Sequence, residues 1–113
     1  MNTADYNGRK LVLCEDQTSG FSTRITAEVK DGCFIITGKD EGAAVQAFIG
    51  VPGYEYFYIC DRENTEKLFT LLAGGGRDPL EQVGRDFHGM DCAGRFRKFC
   101  DENQIACVFD TVR

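Results

Sequence analysis

Residues 54–73 read YEYFYICDRENTEKLFTLLA. The first seven form a strand pattern in which Tyr54, Tyr56, Tyr58 and Cys60 alternate with Glu55, Phe57 and Ile59. Aromatic and β-branched residues suit such a pleated surface. Asp61 is placed as the N-cap of a helix, with Glu63 in the first turn, where the helix dipole favours negative charge. Leu68, Phe69, Leu71 and Leu72 predict its buried stripe, and the glycines at 74–76 predict its end, because glycine accepts the left-handed conformation there. A strand running straight into an amphipathic helix implies an α+β fold. Neither face of the strand is fully polar. It is therefore either a central strand covered on both sides, or one whose tyrosine face is left for a partner.

Upstream, Val51-Pro52-Gly53 sets the turn into this strand, and residues 43–50, AAVQAFIG, read as a short helix. Before that lies a hairpin. Phe21, Thr23, Ile25, Ala27 and Val29 alternate with polar neighbours, Asp31-Gly32 supplies the two positive-φ positions of a type I′ turn, and CFIITGK returns as the second arm. A two-residue loop sets Val29 opposite Phe34 and Ala27 opposite Ile36, so the apolar residues of both arms share one face. Lys10–Glu15 is a further strand, followed by the loop QTSG. Residues 1–9 are polar and expected to fray.

Downstream, Asp78-Pro79-Leu80-Glu81 combines an N-cap, a proline at the first helical position and an early glutamate, which starts a second helix on Leu80, Val83 and Phe87. After the break at His88-Gly89-Met90, Asp91 caps a third helix with Ala93, Phe96, Phe99 and Cys100 inside. The tail IACVFDTV is a last strand. The expectation is a single α+β domain over 1–113, an antiparallel sheet of about five strands with three helices on one face, in the order βββ(α)βαααβ.

Composition bounds the function. At 113 residues the chain supports one core. Its hydrophobic fraction of 42% and charged fraction of 27% are those of a folded domain. No stretch approaches the ~20 apolar residues that span a bilayer, and the start MNTADYNGRKLVLCED lacks a basic segment followed by an apolar run. A cytoplasmic protein without membrane contact is expected. The six cysteines form no C-x-x-C pair and lie mostly in apolar periodic segments, as reduced core residues do. A net charge of −5 disfavours nucleic acid, which needs a concentrated positive face. Positions 1–61 carry five basic and nine acidic residues, so the first half is the more negative.

No motif supplies chemistry. His88 and Cys92 lack any surrounding signature for an activated nucleophile, and GGGRD follows a helix and has no GK[ST], so it reads as an interhelical connection rather than a phosphate loop. Arg85, Arg95, Arg97 and Lys98 are interleaved with acids and form a mixed-charge face. No catalytic residue, cofactor or metal ligand is assigned. The acids Glu15, Asp16, Asp40, Glu41 and Glu55 fall at strand ends and loops, and with Tyr54 and Tyr56 they are the candidate partner-binding residues.

The segments YEYFYICDRENTEKLF and GRFRKFCDENQI, followed by a terminal aliphatic strand, resemble the C-terminal half of small acidic bacterial proteins of unassigned function, some of which look like immunity partners of polymorphic toxins. The resemblance covers about residues 54–110, implies a small α+β protein that binds another protein, and carries over no catalytic residues. The leading expectation is a non-enzymatic domain, monomeric or a weak homodimer, that occludes a basic toxin. The alternative is a small enzyme or ligand-binding domain whose pocket, between sheet and helices, gathers polar groups such as Tyr56, Tyr58, His88 or Arg95. Self-association through an exposed edge strand is a third reading.

Overall fold

The computed structural model describes residues 1–112. Five strands form one antiparallel sheet in sequential order: β1 (Lys10–Thr18), β2 (Phe21–Lys30), β3 (Cys33–Glu41), β4 (Gly53–Cys60) and β5 (Val108–Val112). Helix α1 (Ala43–Ile49) joins β3 to β4, and α2 (Arg62–Leu72), α3 (Pro79–Asp86) and α4 (Cys92–Glu102) precede β5. The α+β class and element order are those expected, with the short α1 formed as a fourth helix. No helix among the described residues is long and apolar enough to cross a membrane.

The hairpin sets the register. Asp31 and Gly32 take φ of 52° and 76°, as the I′ turn demands. Val29 pairs with Phe34 and Ala27 with Ile36. The sequence assigned Gln17 and Thr18 to a loop. They instead continue β1, since Thr18 pairs with Phe21 across a two-residue turn at Ser19-Gly20. A register shift between Val12 and Cys14 lets the extra residue Leu13 turn inward with Cys14, as a bulge does.

Only one face of the sheet, the inner face, carries helices. Phe34, on the central strand near its hairpin end, meets Phe69 of α2 and Phe96 of α4, with ring centroids 5.9 and 5.5 Å apart, and Phe96 stacks edge-on to Phe87 at 5.5 Å. The α2 stripe differs from expectation by one position. Thr65, Leu68, Phe69 and Leu72 face the core at helical spacing, while Leu71 is 51% exposed. The Thr65 hydroxyl accepts from the Phe34 N–H at 2.9 Å and donates to the Cys60 carbonyl at 3.0 Å, so α2 is stitched to the ends of β3 and β4.

The first residues are less loose than their polarity implies. Thr3–Tyr6 form a 3-10 turn, Tyr6 packs on Phe69 at 5.1 Å, and Asn7 Oδ1 accepts from the Gly32 N–H at 2.8 Å. The helix starts follow the sequence with one exception. Asp61 accepts from the Asn64 N–H, and Asp78 accepts from the Leu80 and Glu81 N–H groups. Asp91 stands at the start of α4 but makes no capping bond, pairing instead with Arg95 at 3.1 Å. Arg95 also donates to the carbonyls of Asp86 and His88, closing the turn between α3 and α4.

Asp78 joins the helix cap to an ion pair with Arg9 at 2.7 Å. The Arg9 hydrogen bond and the cap N–H groups hold its carboxyl below the usual range. A carboxyl depressed in the folded state stabilises above its unfolded pKa of about 4, and that contribution is lost as pH falls through the folded value. Asp78→Ala is expected to lower the unfolding free energy at neutral pH by about 1–2 kcal/mol, chiefly through the lost cap. The gap to wild type should narrow near pH 3, below the unfolded pKa of about 4, because there the unfolded wild-type chain takes up a proton that the folded carboxyl resists. Urea unfolding at both pH values measures this, and a gap independent of pH would contradict it.

Candidate functional site

Strand alternation sorts the charges. Residues directly opposite one another in paired strands share a face, so the registers define cross-strand rows. On the inner face, Asp16, Thr23, Asp40 and Tyr54 form one row. Cys14, Ile25, Gly38, Tyr56 and Thr111 form the next, and Leu11, Ala27, Ile36, Tyr58 and Phe109 the one beyond. On the outer face, Glu15, Arg24, Lys39, Glu55 and Val112 form a row. All four strand cations, Lys10, Arg24, Lys30 and Lys39, lie on the outer face with five acids, Glu15, Glu28, Glu41, Glu55 and Asp110. The inner-face strand acids are Asp16 and Asp40, with no basic strand residue beside them.

The candidate residues therefore divide. Asp16, Asp40, Tyr54 and Tyr56 come together at one end of the inner face, whereas Glu15, Glu41 and Glu55 point to the other side of the sheet. There Glu15 meets Arg24 at 3.5 Å and Glu41 meets Lys39 at 3.0 Å.

At the inner end Asp40 is clamped by two hydroxyls. Thr23 Oγ1 donates to Oδ1 at 2.6 Å and the Tyr54 hydroxyl donates to Oδ2 at 2.7 Å. The half-buried carboxylate is thus fixed in orientation, and no ion pair to it forms among the described residues. Tyr56 lies next to this clamp because Gly38 leaves room for its ring, since a Cβ on Gly38 would fall 2.0 Å from Tyr56 Cζ. Burial, then the Asp40 charge, push the Tyr56 phenol well above its ordinary pKa, so it stays a hydrogen-bond donor. Tyr54, Tyr56, Tyr58 and Phe109 make a run of ring contacts at 5.0–6.3 Å along this edge.

Helix α1 supplies the opposite wall. It is anchored by its backbone, with the Ala44 N–H donating to Gly20 O at 3.0 Å and the Gly42 N–H donating to Pro52 O at 2.9 Å. Gly42 has φ of 127° and a Cβ there would lie 2.3 Å from Gly20 O. This close approach therefore requires glycine. Between α1 and the sheet runs an open cleft of about 360 Å³ lined by Phe21, Asp40, Ala44, Val45, Phe48, Ile49 and Tyr54. Phe48 stands 89% exposed at its rim.

Of the groups named for the alternative pocket, Tyr56 lies beside this site and the others do not join it as free polar groups. Tyr58 is buried under the helices, and His88 sits in the α3–α4 turn with Nδ1 2.9 Å from Arg85 O. Cys92 is fully buried, and burial pushes its thiol up to about 11, which keeps it protonated at neutral pH. All six cysteines are free thiols, and among the described residues no group of three or more His, Cys, Asp or Glu is placed to hold a metal ion. Sequence reasoning missed Thr23, Phe21 and Phe48. The available signal was the pairing of Thr23 with Asp40 across β2 and β3, which the hairpin register already implies. Comparison with protein-family models, with curated proteins and with solved structures finds no match to the chain.

Proposed function

We propose that this chain is a non-enzymatic protein-binding domain that takes a basic partner at the Asp40 end of its inner sheet face. An immunity-type protein that covers a basic toxin surface, and blocks it by occlusion, is the form of this function that fits best. One observation carries the reading: the fold sends every strand cation to the outer face and leaves two strand acids on the inner one, Asp16 exposed on β1 and an oriented, half-buried Asp40 that shares the α1 cleft with Phe21, Phe48 and Tyr54. A guanidinium or ammonium group entering the cleft gains a charge-assisted hydrogen bond to Asp40 and a cation–π contact with the flanking rings. Phe48 offers an exposed aromatic anchor of the kind that protein interfaces favour.

A second reading is supported by the cleft volume of about 360 Å³, which falls among those of small-molecule sites, whose lower bound is roughly 300 Å³. In that reading the ligand is a small organic cation. NMR titration with an arginine-rich peptide and with tetramethylammonium separates the two. Protein binding predicts saturable shifts at Thr23, Asp40 and Tyr54 with the peptide that weaken as salt rises. Small-ligand binding predicts equal or tighter response to tetramethylammonium alone. Shifts confined to the outer face would contradict both.

A further inference from the structure

We propose that the outer face of the sheet is a self-association surface that takes a second copy of this chain. Helices cover only the inner face, so Ile35, Phe57 and Ile59 are shielded by no more than their strand neighbours, and Val12, Val108 and Val112 are about half or more exposed. An antiparallel sheet with one wet face ordinarily presents polar residues there. Here Ile35, Ile59 and Val108 form an unbroken apolar run across three adjacent strands, with Phe57 in the next row.

Charge decides the occupant. The outer-face strand residues are nearly balanced, four basic against five acidic, in a chain of net charge −5. This face therefore offers no field to a strongly basic partner and little repulsion to its own copy. Its area fits as well. Five strands about 4.8 Å apart and about eight residues long give roughly 600 Å² per copy, or about 1200 Å² for a stacked pair, at the lower bound of a specific interface. Two such sheets stack about 10 Å apart as a sandwich. This interface is separate from the basic-partner site on the inner face.

Sedimentation of the full chain over about 1–100 μM is expected to show a dimer dissociating in the micromolar range. Val108→Lys, at an exposed position on the edge strand, and Phe57→Glu are each expected to weaken the dimer at least tenfold with an unchanged circular-dichroism spectrum, while Asp40→Asn leaves it intact. Methyl resonances of Ile35, Ile59 and Val108 in the wild type should shift on dilution and those of inner-face residues should not, which reads the interface without a substitution. A wild type that stays monomeric throughout, or a dimer that survives Val108→Lys with no outer-face shifts, would overturn the proposal.

Discussion

Phe96→Ala is expected to lower the unfolding free energy by about 4 kcal/mol. Phe96 is fully buried and is the ring on which α4, β3 and the end of α3 meet, touching both Phe34 and Phe87. Removing it takes away a large apolar side chain and leaves a void that three elements must close together, so relaxation recovers little of the loss. For a domain whose total stability is of order 5–15 kcal/mol, that is a large fraction. The melting temperature should fall by roughly 15 °C or more. Phe48→Ala removes the same side chain from an 89% exposed position. It should shift stability by less than about 0.5 kcal/mol. Equal effects at the two positions, measured by calorimetry, would contradict the assignment of core and surface.

The second large effect concerns binding. Asp40→Asn keeps the shape of the side chain and its ability to bond to the Thr23 and Tyr54 hydroxyls, but removes the charge. It should weaken a basic partner by about 2 kcal/mol or more, roughly thirtyfold, because the cation brought into the cleft would then be desolvated without its counter-charge. Asp16→Asn should have a much smaller effect, since Asp16 is exposed and lies two strands away, about 10 Å along the row. Glu55→Gln, on the outer face, should leave this affinity unchanged. Titration calorimetry against the partner measures all three, and an Asp40→Asn loss no larger than that of Glu55→Gln would contradict the site.

Much of the fold was legible in the sequence because its punctuation is strong. Asp31-Gly32 specifies one turn and hence the register of two strands, and Asp61 and Asp78-Pro79 mark helix starts by chemistry that few other positions offer. What the sequence left open depended on tertiary context. Leu71 and Phe69 are both suited to burial, and only the position of Phe34 and Tyr6 selects Phe69 for the core. Residues 1–9 carry little apolar surface, yet the Asn7 bond to the Gly32 N–H and the Tyr6 ring hold them against the hairpin and α2.

The site was half legible. Glu15 and Asp16, Asp40 and Glu41, and Tyr54 and Glu55 are adjacent pairs within strands, and adjacent strand residues point to opposite faces. Strand alternation thus already divides the acids into two sets, and the pairing register decides which set meets the tyrosines. The contribution of α1 was not readable in this way. Its position over Asp40 rests on backbone bonds at Gly20, Gly42 and Pro52 that no side-chain pattern announces.

The most direct test of a basic partner at Asp40 is affinity capture from cells of the native host, with wild type and Asp40→Asn immobilised in parallel and salt as the competitor. A basic protein is expected to be retained by the wild type, released as salt rises, and depleted on the variant in proportion to the lost charge. A retained protein that is acidic, or one held equally by both forms, would contradict the assignment.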